Sequence, residues 1–202
     1  MSKVLFKNPV LANSYEYAKC AVEGHLLIVT INRPERLNAL HPPAHAEFDD
    51  IFNSFENDPN LWVAIITGEG RGFSAGNDLR YQASGERAAY EKKMAGKPRV
   101  KSFGFAGLTN RFDMQKPVIA AVNGVAMGGG FEIALACDLI IASENAKFAL
   151  PEPKVGLFAG AGGTLRLPRV IGMKRAMGMM LTGRHVSSKI ISPKPTYSRY
   201  PH

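Results

Sequence analysis

Two stretches of this chain repeat one plan, and that repetition limits the folds open to it. Residues 63–78, VAIITGEGRGFSAGND, and residues 118–132, VIAAVNGVAMGGGFE, each run from a short apolar strand into a glycine turn and a polar loop. Apolar runs of this length, ended by glycine and rich in Val and Ile, read as buried strands. Two such loops at the ends of two strands can face one site. This is an α/β arrangement, with ligands expected at the carboxyl ends of the strands. The repeats are unequal, so the chain is not a solenoid.

The remaining segments fit that frame. AKCAVEGHLLIVTINRP reads as a hairpin turning at Glu23 and Gly24. HPPAHAEFDDIFNSFENDP reads as a helix. Prolines stand at its start, Pro59 lies beyond its end, and Phe48, Ile51, Phe52 and Phe55 share a face. EGRGFSAGNDL is expected as a glycine-rich loop. Tyr81 to Lys101 is a polar excursion with some helix, and FGFAGLTNRFDMQ is expected as a short helix. LIIAS and part of AKFALPEPKVG read as strands, GAGGTLRLPRVIG and KRAMGMMLTG as helices. From Val186 the periodicity stops. Residues 1–185 are therefore expected as one core domain and 186–202 as an irregular tail.

With 202 residues, 46% of them hydrophobic and 21% charged, the chain can bury one sizeable core. No apolar run reaches the roughly 20 residues of a spanning helix, and the N-terminus has no signal-peptide core. The expectation is a cytoplasmic protein away from membranes, with a mitochondrial or peroxisomal address left open. Two widely spaced cysteines, Cys20 and Cys137, fit free thiols. The net charge of +8 suits a phosphate-bearing ligand or nucleic acid. Lys189, Lys194 and Arg199 in the tail contribute to it without a compensating acid, and no single basic block stands out.

Several motifs compete. GFSAG, residues 72–76, matches the G-x-S-x-G nucleophile elbow, which would make Ser74 a hydrolase nucleophile. The elbow should run into a helix, yet Gly76, Asn77 and Asp78 follow, and the downstream histidines are His185 and His202 only. GRGFSA imitates a dinucleotide fingerprint but lacks the helix that must receive the pyrophosphate. No Cys/His cluster has zinc spacing, so no metal is expected. MGGGFEIALACD places Gly128, Gly129 and Gly130 before an apolar helix that starts with an acid, Glu132. Free N–H groups at such a helix start can form an oxyanion hole, or the glycines can simply serve close packing. Glu132 can be a dipole-stabilised acid or a general acid/base with a raised pKa. Glu152, held between Pro151 and Pro153, can be its partner or a solvated loop acid. Asp78 suits an Asx-turn or helix cap.

GFSAGNDL, the long stretch from KPVIAAVNG to LPEPKVGL, GAGGTLRLPR and MLTGR together resemble the crotonase, or enoyl-CoA hydratase/isomerase, superfamily over residues 19–185. FAGLTNRFDMQKPVIAAVNG is most similar to its carnitinyl-CoA dehydratase-like hydratases. The resemblance implies a ββα spiral core, trimers or hexamers, and an acyl-CoA thioester as substrate, with no cofactor. It implies the backbone N–H groups of Ala75 and Gly129 as the oxyanion hole, and Glu132 and Glu152 as the groups that activate water and move protons. Gly76, Asn77, Asp78, Gly128 and Gly160 then line the substrate. The implied reaction adds or removes water across C2=C3 through a thioester enolate. Double-bond isomerisation, or a non-catalytic binding role, is the alternative. Family members continue past LTGRHVS with helices that build the trimer. SSKIISPKPTYSRYPH departs from that pattern, so the helical trimerisation region is expected to be largely missing. A nucleic-acid partner is not expected.

Overall fold

The structure, a computed structural model, describes residues 14–96 and 102–191. Strands β1 (Ala18–Glu23) and β2 (Leu26–Ile31) form the expected antiparallel hairpin, with Gly24 at φ +61 in the turn. Along β2 the residues alternate, burying Leu27, Val29 and Ile31. Helix α1 (Pro42–Asn57) starts where His41 Nδ1 accepts the Ala44 N–H, with proline in its first turn. It buries Phe48, Ile51, Phe52 and Phe55, the face expected from their spacing.

Three consecutive strand pairs then follow one rule. They are β3 (Val63–Gly68) with β4 (Gly72–Ser74), β5 (Val118–Val122) with β6 (Val125–Met127), and β7 (Leu139–Ala142) with β8 (Lys147–Ala149). The first strand of each pair joins a five-stranded sheet ordered β1-β2-β3-β5-β7. The second joins a four-stranded sheet whose first three strands are β4, β6 and β8. Neighbours among these pairs are parallel. Each pair advances both sheets by one position, which is the ββα spiral. The sequence displays two of its turns; β7–β8 is the third.

Helices α2 (Leu79–Ala83) and α3 (Glu86–Met94) follow the first pair, and α4 (Gly129–Ala136) follows the second. After the third come α5 (Gly163–Ile171) and α6 (Met173–Thr182). Phe131 on α4 and Phe148 on β8 meet with ring centroids 5.0 Å apart inside the core.

Glycine permits the close approach of the turns. A Cβ on Gly68 would lie 2.1 Å from the Gly72 carbonyl oxygen, and one on Gly130 would lie 2.1 Å from the Ser74 carbonyl oxygen. Asn123 stitches the turns together, donating from Nδ2 to the carbonyls of Gly68 and Gly70 at 2.9 Å each.

Three local expectations are corrected. Residues 69–79 are not all loop, because Gly72–Ser74 pairs with β6 as β4. FGFAGLTNRFDMQ holds only a 3-10 turn at Phe105–Gly107. Gly104, Ala106 and Gly107 adopt positive φ there, which an α-helix excludes. The tail does not become irregular at Val186. Strand β9 (Val186–Ser187) pairs antiparallel with β8, and a short helix α7 (Ser188–Ile191) follows. Residues 192–202 lie outside the described residues, as do 97–101 of the polar excursion. No helix among the described residues is long and apolar enough to cross a membrane.

Candidate active site

The two repeated loops do meet. Gly76, at φ +86, packs against the start of α4, and a Cβ there would lie 2.8 Å from the Gly129 nitrogen. A cleft of about 450 Å³ opens beside this contact. Asn77, Gly129, Glu132, Glu152 and Gly160 line it, together with Phe105 and Phe158. The fold therefore brings both acids, Asn77, Gly129 and Gly160 to one cleft, while Gly76 and Gly128 pack against Gly129 and Glu152 without lining it.

Glu132 lies on the first turn of α4 and is 3% exposed. Its Oε1 accepts the Gly163 N–H at 2.9 Å, so it also sits at the N-terminus of α5. Burial pushes the Glu132 carboxyl above the usual carboxylate range. The nearby Glu152 charge adds to this, while hydrogen bonding from Gly163 and the Arg166 charge oppose it. Glu152 opens the 3-10 turn Glu152–Val155, and burial raises its carboxyl as well. Its Oε1 lies against Gly128, where a Cβ would approach to 3.0 Å. Its Oε2 is buried and has no hydrogen-bond partner among the described residues. Leaving a buried carboxylate oxygen unpaired is costly, so this atom is set to take a donor.

The backbone N–H groups separate into occupied and available. Ala75 donates to the Leu37 carbonyl at 2.9 Å, and Gly76 donates to Ser74 Oγ at 3.1 Å. The expectation that Ala75 supplies an oxyanion donor is therefore corrected, because that donor is occupied by its own fold. The N–H groups of Asn77 and Gly129 make no hydrogen bond among the described residues, and both residues line the cleft. Leu40 pairs with Asn77 as an isolated bridge but bonds only the Gly76 carbonyl and the Asp78 N–H, which leaves the Asn77 N–H unused.

Ser74 is fully buried. Its hydroxyl donates to the Asn38 carbonyl at 2.8 Å, and α2 begins only at Leu79, so the nucleophile-elbow reading falls away.

Asp78 does not line the cleft. Its Oδ1 caps α2 by accepting the N–H groups of Arg80 and Tyr81, and its Oδ2 pairs with Arg33 at 2.9 Å. Asp78 instead lines a neighbouring groove, and its reading as a cap holds. Burial alone would raise this carboxyl, but hydrogen bonding from Tyr81 and Arg33 outweighs it and holds the pKa below the ordinary value. A depressed acid contributes stability that is present above its unfolded pKa and lost as pH falls through its folded pKa. Asp78→Asn is thus expected to cost about 2 kcal/mol near neutral pH. The gap to wild type should narrow below roughly pH 4. Urea unfolding across pH tests this, and a gap that does not change with pH contradicts it.

The cleft also contains residues not singled out in the sequence. His45 on α1 lines it and stacks edge-on against Phe105, with centroids 4.8 Å apart. Burial pushes the His45 pKa down to about 4, so its neutral Nδ1 can accept the Ala106 N–H at 3.3 Å. Phe105 closes over Gly129, where a Cβ would lie 2.6 Å from its ring. A second groove of about 380 Å³ shares Asn77 with the cleft and carries Arg36, Arg71 and Arg80. Among the described residues no group of His, Cys, Asp and Glu could hold a metal ion.

The family described as enoyl-CoA hydratase/isomerase matches residues 22–190. The chain belongs to that family. Among its relatives, it is 47% identical over 167 residues to a carnitinyl-CoA dehydratase of Salmonella enteritidis PT4, which spans 82% of this chain and 60% of the relative. The Escherichia coli K12 carnitinyl-CoA dehydratase is 46% identical over the same shares. Solved structures agree on the fold. An enoyl-CoA hydratase from Mycobacterium tuberculosis H37Rv gives a TM-score of 0.75 at 38% identity, covering 87% of this chain and 65% of that one. A carnitinyl-CoA dehydratase from Mycobacterium avium 104 gives 0.75 at 39%, covering 86% and 65%. The chain spans about 60% of the length of the curated relatives it matches.

Proposed function

We propose that this chain carries the active site of an enoyl-CoA hydratase/dehydratase. One observation supports the reading above all. Two carboxyls with raised pKa values converge on a single cleft with two unoccupied backbone N–H groups, those of Asn77 and Gly129. In this reading the thioester oxygen of an acyl-CoA lies between those two donors. They stabilise the negative charge that grows on that oxygen when C2 becomes enolate-like, each donor being worth about 10²–10³ in rate. Glu132 and Glu152 bind the water that adds at C3, one as base toward the water and one as acid toward C2. The unpaired Glu152 Oε2 supports a water site there. Dehydration runs the same steps in reverse. The pair of acids favours hydration over isomerisation, which needs only one proton-carrying group.

The basic groove extends the reading to the CoA end of the substrate. Arg36, Arg71 and Arg80 outnumber the acids Glu35 and Asp78 in its lining and provide charge for phosphates, and Asn77 links the groove to the acid-lined cleft. The proposed assembly is a homotrimer or hexamer. Its support is the apolar surface at Leu139 and Ile141 on β7 and at Leu165, Met173 and Leu181 on α5 and α6, all exposed in the single chain.

The purified 202-residue chain, mixed with crotonyl-CoA, should remove the absorbance of the conjugated enoyl thioester. Its KM should rise with salt, as screening weakens the contact to phosphate. Saturable binding of crotonyl-CoA without turnover would instead favour a non-catalytic role for the same cleft. Absence of binding would remove the proposal.

A further inference from the structure

Both walls of the acid-lined cleft are held by a side chain that does not line it. Arg166, on the first turns of α5, donates from Nη2 to the Thr109 carbonyl at 2.9 Å and from Nη1 to the Ala161 carbonyl at 3.3 Å. Thr109 and Ala161 both line the cleft. Thr109 also holds the loop that carries Phe105, because its Oγ1 accepts the Phe105 N–H at 2.9 Å. The Arg166 guanidinium lies over the Phe112 ring at 5.4 Å, which adds a cation–π contact to the same loop. Room for it is made by Gly162, at φ +108, where a Cβ would fall 1.9 Å from Nη1. The residue after that glycine, Gly163, supplies the N–H that Glu132 accepts.

We propose that Arg166 is a positioning residue: it clamps the Phe105–Phe112 loop to the start of α5 and so fixes the N–H against which the Glu132 carboxyl is set. A lysine could supply charge here, but its donors share one nitrogen, whereas the planar guanidinium holds two nitrogens apart and meets the two carbonyls separately. The clamp also has an electrostatic consequence. The groups acting on Glu132 are Glu152 from the 3-10 turn, the backbone of Gly163 and Ala161, and Arg166, with neutral His45 lining the same cleft from α1. Of the side chains, Arg166 is the one that favours the ionised form. Its link to catalysis rests on the proposed role of Glu132, but the clamp itself can be tested without substrate.

The experiment compares wild type, Arg166→Met and Arg166→Lys as full 202-residue chains, with no acyl-CoA present. Carboxyl ¹³C NMR, assigned with Glu132→Gln, follows the Glu132 titration. Amide hydrogen exchange follows Phe105, Asn110 and Arg111. In Arg166→Met the Glu132 titration should move to higher pH, and these amides should exchange about tenfold faster or more. Arg166→Lys should restore the titration toward wild type while leaving exchange fast, a split that a merely structural role would not produce. If Arg166→Met does not fold, Arg166→Gln, which keeps a donor amide but no charge, takes its place. Its titration should still move upward. Unchanged exchange in Arg166→Met would overturn the clamp, and an unchanged Glu132 titration in the uncharged variant would overturn its reach to the acid. Because no substrate is used, either failure is separate from a failure of the hydratase reading.

Discussion

Glu132→Gln and Glu152→Gln are each expected to lower crotonyl-CoA turnover by about 10²- to 10⁴-fold, the range for removing a positioned proton-transfer group. The double variant should fall little further, because groups that handle the same water act as a unit. Folding gives the control. Both carboxyls have folded pKa values raised by burial. For such an acid, the stability present below the unfolded pKa is lost as pH rises through the folded pKa. A neutral amide avoids that loss at neutral pH, so both variants should melt no lower than wild type. Lost turnover with an unchanged melt marks chemistry. Lost turnover with a melt lowered to match would mean that the acids hold the fold, and the proposed roles would fail.

Gly130→Ala is expected to damage the molecule more broadly. The new methyl would lie 2.1 Å from the Ser74 carbonyl oxygen and 2.7 Å from its carbon, so main chain must move and not a flexible side-chain end. The start of α4 and the end of β4 would separate, and Gly129 would shift away from Asn77. The expected cost is about 3 kcal/mol or more, or roughly 6–12 °C in Tm. Gly156→Ala is the matched control. Gly156 has φ +73 but nothing within 4 Å of a Cβ, so only the backbone strain of about 1–2 kcal/mol applies. Equal melting of the two variants would show that close approach of the two loops does not matter.

Much of this was readable in the residues. The repeat of strand, glycine turn and loop announced β3, β5 and the meeting of their loops, though not the second sheet, whose strand β4 lies in a segment that reads as loop; glycines beside Glu132 announced a crowded polar site. What escaped depends on partners far away in sequence. Nothing in GFSAGND tells which N–H is free. That is decided by the Leu37 carbonyl, presented by a turn in which Leu37 and Asn38 hold φ +50 and +57. The loop at Phe105 has apolar residues at helical spacing, but Gly104 and Gly107 at positive φ overrule that spacing. β9 is two residues long and exists because Phe148 offers Val186 a partner. His45 and Arg166 looked like ordinary members of helices. The nearest signal for Arg166 was the glycine pair before it, which leaves space for a large side chain to turn back.

The donors assigned to the thioester oxygen are main-chain groups, and this changes how mutation can reach them. No substitution at Asn77 other than proline deletes its N–H. The heritable information for that half of the chemistry therefore resides in residues that donate nothing to that oxygen: Gly76 and Gly130, which let the loops touch, and Leu37, whose turn occupies the Ala75 amide. The proton-carrying half is written directly in two side chains. Drift can therefore rewrite the proton chemistry one codon at a time while the polarising half persists, so a descendant of this chain would change which reaction it runs more readily than which functional group it binds.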